Sequence, residues 1–296
     1  MPKEVYGYEK VYKQLSCFYR DYPPNEWYWL VSYSGGKDST TLLLLTLRLA
    51  KQKGFELGVV YNDDGGDLPE LRELVRRVLT YVEELGYRTY ITKPEMSFFD
   101  YLLTKYSPPR WNFRWCCKRL KERPFKRFVE SIKGRKILNL VGTRREEARW
   151  RGWSKKVVNE GLVYAAPLRD LKSDDVWALL REVSLELRVK WIYRGLREVY
   201  RGAKRTGCWF CPLVMFDEML LTRPELLRLK LEIFESWCSG ERLKILELSK
   251  KYPGLVKVSV SDPQSHYPCG KRCRICQVRL IRKTLRDLID CCTNCL

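Results

Sequence analysis

The chain has 296 residues, a formal charge of +20 from 56 Lys and Arg against 36 Asp and Glu, twelve cysteines and one histidine. Its 45% hydrophobic content supports a sizeable core and excludes global disorder. No apolar run reaches membrane-spanning length, since Leu42–Leu49 is short and broken by Arg48, and the polar start at Met1–Glu4 carries no signal segment, so a cytoplasmic chain without a membrane partner is expected.

In chain order, residues 1–26 read as a helical extension ended by Pro23-Pro24. Trp27–Tyr33, aromatic and β-branched, reads as a buried strand, and Thr41–Leu47 as the helix after it, with Gly54 as its C-cap. Leu57–Tyr61 is a second buried strand running into the acidic turn 62–67. Pro69 starts a helix with Leu71, Leu74, Val75, Val78 and Leu79 at helical spacing. Strands follow at Tyr87–Ile91, Ile137–Val141 and Val163–Ala166, with helices at 98–103, through about Ile132, and from a Ser173 cap. This alternation predicts a doubly wound, mostly parallel α/β sheet with helices on both faces. Residues 223–250 read as two amphipathic helices split at Ser239-Gly240, and 253–268 as a linker. The expected organisation is a helical extension at 1–26, an α/β domain at 27–222, a helical extension and linker at 223–268, and a Cys-rich metal-binding module at 269–296.

The stretch Ser34-Gly35-Gly36-Lys37-Asp38-Ser39-Thr40 sits at the first strand-to-helix turn. Two glycines let the backbone approach a ligand closely, and the first turn of the new helix aims amides and a positive dipole end at it. The stretch is therefore a phosphate cradle, though not of GxxxxGK[ST] spacing. The bland alternative is a Gly-Gly turn capped by Ser34 or Asp38. The acidic turn with Asp64 lies at the carboxyl end of the second strand, where ligands bind in doubly wound sheets, and is expected to face the same crevice. Arg144 and Arg145 follow another strand end and are placed to clamp phosphate or sulfate; the alternative is a surface ion pair with Glu146 or Glu147.

The cysteines form two sets. In a cytosolic chain such a number points to metal rather than disulfides, and with His266 alone the sites must be thiolate sites. Cys116-Cys117 and the remote Cys208-x-x-Cys211 supply four thiolates, enough for one [4Fe–4S] cluster or one zinc. Arg114, Lys118, Arg119, Lys121, Lys204 and Arg205 flank them and favour the thiolate form. Cys273-x-x-Cys276 and Cys292-x-x-Cys295 fit structural zinc spacing; Cys269 with Cys273 and Cys276 offers ligands for a second Fe–S cluster, and a persulfide-carrying thiol is a third option. The positive charge points to nucleic acid, or to a generally basic proteome. Trp111, Trp115, Trp150, Trp153 and Trp209 lie near basic residues and suit base stacking, with core packing the plainer role for most.

Ser34–Ser39 resembles the PP-loop, SGGxDS, of the ATP pyrophosphatase superfamily. Cys116-Cys117 with Lys121 and Pro124, Gly142-x-Arg144-Arg145-x-Glu147, Pro167–Trp177 and Gly207-Cys208-x-x-Cys211 recur in this order in the phosphoadenosine phosphosulfate reductase family, as does the turn Asp64-Gly65 with Leu68-Pro69-Glu70. The resemblance covers about residues 25–215. It implies a [4Fe–4S] cluster on Cys116, Cys117, Cys208 and Cys211 beside an adenine nucleotide. It also implies that Ser34, Gly35, Gly36, Lys37, Ser39, Thr40, Asp64 and Gly142 bind the nucleotide, with Asp38 holding Mg²⁺. Lys37, Asp38, Arg144 and Arg145 are then the candidate catalytic residues.

Two departures matter. The Glu-Cys-Gly-Leu-His segment of true reductases is absent, and the PP-loop, often degraded in reductases, is intact. Together they imply ATP rather than a sulfonucleotide: an enzyme that adenylates an acceptor, tRNA or DNA, and then inserts sulfur from a donor. One alternative is a sulfonucleotide reductase releasing sulfite with a protein electron donor and a C-terminal thiol as nucleophile. The other is a non-catalytic Fe–S or nucleic-acid-binding protein.

Overall fold

Strand β1 (Trp27–Tyr33) is aromatic and aliphatic but for Ser32, so it is largely buried on both faces and takes the middle of a sheet. The computed structural model describes residues 6–109, 113–132, 134–146, 155–203, 206–211 and 222–260. Two units emerge, the first from residues 1–63, 70–93 and 125–205, the second from 64–69, 94–124 and 206–296.

The first unit holds the sheet. Beside β1 lie β2 (Leu57–Asn62), β3 (Arg88–Thr92), β4 (Lys136–Val141), β5 (Lys155–Asn159) and β6 (Leu162–Ala165), in the order β3-β2-β1-β4-β6-β5. Every pairing is parallel except β5 with β6. The predicted mostly parallel α/β sheet is thus present. The antiparallel β5 was not foreseen. All five of its residues are exposed, so it lacks the apolar signature of the buried strands and pairs only as an edge hairpin closed by the 159–162 turn.

Helix α1 (Tyr6–Asp21) forms the predicted extension, and α2 (Lys37–Lys53) follows β1. Its Leu-rich middle is buried all round because β1 lies on one side and α7 (Ser173–Glu186) packs on the other. Gly54 closes α2 in the left-handed region (φ 70°), as expected, donating its N–H to the Ala50 carbonyl. Ser173 is the first residue of α7 rather than its cap; Asp175 accepts the Lys172 N–H at 2.9 Å at that end. Helices α3 (Pro69–Glu84) and α8 (Lys190–Tyr200) complete the helical cover, and Phe125, Phe128, Val129 and Ile132 pack on a sheet cluster of Tyr28, Leu30, Val60, Ile137 and Leu162.

Strand order reverses between β1 and β4. The loops leaving both carboxyl ends, 34–36 and 142–146, therefore flank the switch point, the place where open parallel sheets bind ligands.

The second unit contains α4 (Phe98–Thr104), the short turn α5 (Trp115–Cys117), a π-helical turn (Lys118–Glu122), α9 (Pro224–Ser239) and α10 (Arg242–Lys251). Helix α6 (Arg123–Ser131) continues from that turn. The predicted break at Ser239-Gly240 is where α9 ends, with Gly240 at φ 86°. The described part of the stretch read as a linker, through Val260, is anchored: buried Asp100 accepts the N–H groups of Ser97, Ser259 and Val260, and the Ser97 hydroxyl donates to the Lys257 carbonyl at 2.6 Å. Among the described residues no helix is long and apolar enough to cross a membrane.

Candidate functional site

The PP-loop is held by its own hydroxyls and by the helix packed behind it. Gly35 sits at φ 76°, and a Cβ there would lie 2.5 Å from Val75 Cγ2 on α3, so both backbone and space demand glycine. Gly36 precedes α2 in extended backbone and receives no side-chain cap, which departs from a simple capped turn. The Ser39 hydroxyl accepts the Ser34 N–H at 3.1 Å, meets Ser34 Oγ at 3.0 Å and donates to the Gly36 carbonyl at 3.1 Å. Thr40 donates to the same carbonyl at 2.9 Å.

Charge is concentrated just behind this loop. Lys37 is 1% exposed; its Nζ lies 2.8 Å from Asp38 Oδ2 and 5.8 Å from the centre of the Tyr200 ring. Its backbone N–H donates to the Tyr200 hydroxyl at 3.0 Å. Arg144, 3% exposed, pairs with both Asp38 and Glu146. That hydrogen bond from Arg144 holds the Glu146 carboxyl below its usual range, and Glu146 also accepts the Ser173 N–H at the start of α7 at 2.9 Å. Gly142 makes this packing possible, because a Cβ there would lie 2.9 Å from both Asp38 C and Ser39 N. Arg145 goes elsewhere: it is exposed and pairs with Asp170 at 3.2 Å.

The cluster of Lys37, Arg144, Asp38 and Glu146 is formally neutral, with both cations desolvated and fixed. An entering polyphosphate can take over the role of the two carboxylates, so that buried positive charge is released to the ligand without any side chain having to be ordered afresh. Tyr200 was not singled out from the sequence and sits at no spacing that would have marked it, whereas the Arg144–Glu146 pair is the ion pair the sequence offered as the alternative to a ligand role. Thr143 Oγ1, between Gly142 and Arg144 in the chain, is buried without a hydrogen-bond partner among the described residues.

The second unit gathers the four predicted thiols Cys116, Cys117, Cys208 and Cys211 with Asp64 and Lys121. An aromatic column carries both cysteine segments. Tyr106 stacks on Trp115 at 4.6 Å, Trp115 on Phe98 at 5.4 Å, and Phe98 on Phe210 at 4.1 Å. Trp115 precedes Cys116 and Phe210 precedes Cys211, so stacking fixes one pair relative to the other. Trp115 and Trp209 are 4% and 1% exposed and serve the core rather than base stacking. Asp64 Oδ1 accepts the Gly66 N–H at 2.7 Å; its Oδ2 receives Lys121 Nζ at 3.0 Å and the Cys208 thiol at 3.4 Å. Gly66 in turn accepts the Trp209 N–H at 2.9 Å, and a Cβ on Gly66 would lie 2.8 Å from Cys208 Cβ.

The thiols differ in acidity. The Cys116 thiol donates to Cys117, which pushes Cys116 up and Cys117 down; Lys121 and Arg114 lower Cys117 further. Burial pushes Cys208 up, and the Asp64 carboxylate adds to it. Lys121, beside Cys208 and Asp64, is held well above the usual lysine range. In metal-free protein, Cys117 is thus expected to be alkylated by iodoacetamide before Cys116 and Cys208, at a pH below that of an ordinary thiol, and to lose this reactivity as pH falls through its lowered pKa. Peptide mapping by mass spectrometry checks this; Cys208 reacting first would contradict it.

Among the described residues no three His, Cys, Asp or Glu side chains converge as one metal ion requires. The donor set nonetheless fits a thiolate-bound group in chemistry: four thiols within one unit, one of them already acidic, with a fixed cation to offset added negative charge. Cys273, Cys276, Cys292 and Cys295, and Trp111, Trp150, Trp153, Lys204, Arg205 and His266, lie outside the described residues.

The phosphoadenosine phosphosulfate reductase domain model matches residues 29–214. An uncharacterized protein of Methanocaldococcus jannaschii is 31% identical over 212 residues, covering 70% of this chain and 40% of that protein. A second from the same organism is 26% identical over 214 residues, covering 70% and 46%. The chain thus spans less than half the length of these curated relatives. Among solved structures, the phosphoadenylyl-sulfate reductase of Candida auris in complex with phosphate is 16% identical, with a TM-score of 0.47 over 68% of this chain and 88% of that one.

Proposed function

The chain belongs to the phosphoadenosine phosphosulfate reductase domain family, and from that premise we propose that it is a PP-loop enzyme that binds ATP and adenylates an acceptor for sulfur transfer, the acceptor being nucleic acid. The observation that carries this reading is the intact loop backed by the buried cations Lys37 and Arg144 and their carboxylate partners Asp38 and Glu146. The β- and γ-phosphates of ATP would lie on the loop 34–39. The Mg²⁺ that accompanies ATP enters as part of the substrate, and Asp38 is the carboxylate that would meet it.

In the reaction, an acceptor oxygen attacks the α-phosphorus, the bond to the bridging oxygen breaks, and pyrophosphate leaves. Lys37 and Arg144 stabilise the negative charge that develops on the departing group. A sulfur nucleophile then displaces AMP from the adenylated acceptor. Catalysis of this kind is mostly positioning and charge stabilisation, which suits a chain in which His266 is the sole histidine.

Cys116, Cys117, Cys208 and Cys211 would hold a [4Fe–4S] cluster, with Lys121 offsetting its charge. A polynuclear cluster spreads its thiolates wider than one zinc, whose four sulfurs lie within about 4 Å of one another. When bound, such a cluster supplies a site for sulfur or a store of electrons. Zinc or a second cluster on Cys273, Cys276, Cys292 and Cys295 completes the proposal.

The test is an anaerobic assay of purified protein with ATP, with and without RNA or DNA. Pyrophosphate release that depends on nucleic acid and is lost in Asp38→Ala is expected. Release that ignores nucleic acid, or sulfite produced from adenylyl sulfate without ATP consumption, would overturn the reading.

A further inference from the structure

In the first unit, α7 and α8 enclose a groove that the reaction above does not use. Its volume is about 240 Å³, and it is lined by Arg181, Ser184, Leu185, Lys190, Tyr193 and Arg194. On α7 the residues are spaced i, i+3, i+4 (181, 184, 185), and on α8 likewise (190, 193, 194), so each helix presents one face to the groove. Arg181, Lys190 and Arg194 are exposed at its rim, and among the described residues none of the three makes an ion pair. Glu186, four residues before Lys190, is engaged by Arg48 and Tyr8. Ser184 is 1% exposed, lines the groove, and its hydroxyl has no hydrogen-bond partner among the described residues. Helix α8 begins at Lys190 without a side-chain cap, so its positive dipole end adds to the same field.

Three unpaired cations converging on a buried, unsatisfied hydroxyl describe a receptor for a tetrahedral oxyanion. Cations left without carboxylates on facing helices repel one another, an arrangement stabilised by an anionic ligand. The groove is half open to solvent, which leaves room for a phosphate that belongs to a chain. Beyond it, on the α3 side of α8, Arg77 lies 4.6 Å over the Trp191 ring and keeps that face from acting as a base platform.

We propose that the α7–α8 groove binds backbone phosphate of a nucleic-acid strand, with Arg181, Lys190 and Arg194 as phosphate contacts and Ser184 as hydroxyl donor. The choice of ligand rests on the reading of the acceptor given above; the groove itself does not. It contributes affinity and register without reading bases.

The experiment measures binding of the full chain to labelled mixed-sequence RNA and DNA between about 50 and 200 mM salt. Arg181→Ala, Lys190→Ala and Arg194→Ala are each expected to weaken binding and to reduce the slope of log affinity against log salt by about 1. Ser184→Ala is expected to weaken binding without changing the slope. Lys51→Ala, an exposed charge at the far end of α2, should change neither by a comparable amount. ATP binding is expected to be unchanged in the groove variants, which also shows that they fold. A wild-type chain that binds no oligonucleotide, or groove variants with the wild-type slope, overturns the proposal; so does tight capture of inorganic phosphate by the groove with oligonucleotide binding unaffected. Oligonucleotide binding that depends on the groove, in a chain that releases no pyrophosphate, overturns the proposed reaction and leaves the groove standing.

Discussion

Arg144→Ala is expected to lower the free energy of unfolding by about 3 kcal/mol and to abolish ATP binding, read by urea denaturation and by calorimetric titration. The guanidinium is almost wholly buried and bridges two carboxylates. Its removal leaves Asp38, which is 14% exposed, with Lys37 as its one cation among the described residues. The effect is set at the low end for a broken buried pair for two reasons. Lys37 remains, and Glu146, about half exposed, recovers water. Arg144→Lys keeps the charge but cannot span both carboxylates, so part of the stability and little of the binding should return. Full stability in the alanine variant would show that the pairings carry no net energy.

Gly142→Ala is expected to weaken ATP binding roughly 10- to 100-fold, the equivalent of an overpacking cost of about 1–3 kcal/mol placed on the loop. The added methyl would meet the backbone of Asp38 and Ser39 at 2.9 Å, and backbone at the start of a packed helix cannot yield as a side-chain tip would. The loop must move, and its amides move with it. Gly161→Ala, in the β5–β6 hairpin, meets nothing nearer than 3.7 Å and serves as the control. Equal affinity in the two variants would mean that the loop does not need its present position.

Both predictions concern residues whose importance lies in contacts made across the chain, and the sequence was legible to different depths at different places. The loop Ser34–Ser39 declared itself because two adjacent glycines between an apolar strand and an apolar helix are a local backbone requirement. The buried strands declared themselves because parallel strands covered on both faces must be apolar throughout. Strand β5 escaped because an exposed edge strand such as Lys155–Asn159 is under no such compositional demand. The cysteine sets were visible as types and spacings, while their setting was not. That the column Tyr106–Trp115–Phe98–Phe210 would align them, and that Asp64 would bind Lys121 and Cys208, has no sequence spacing to announce it.

The sequence alone therefore determined the α/β class, the place of the glycine loop at the first strand-to-helix turn and the spacing of the thiols, because each follows from a residue's own type and that of its near neighbours. Only the tertiary structure decided that Arg144 would be shared between Asp38 and Glu146, that Tyr200 would take the Lys37 amide, and that three cations on α7 and α8 would pair with no carboxylate among the described residues. The partners in these cases are as far apart as 106 and 163 residues along the chain, and such pairings are set by how helices dock on the sheet, which no local period records.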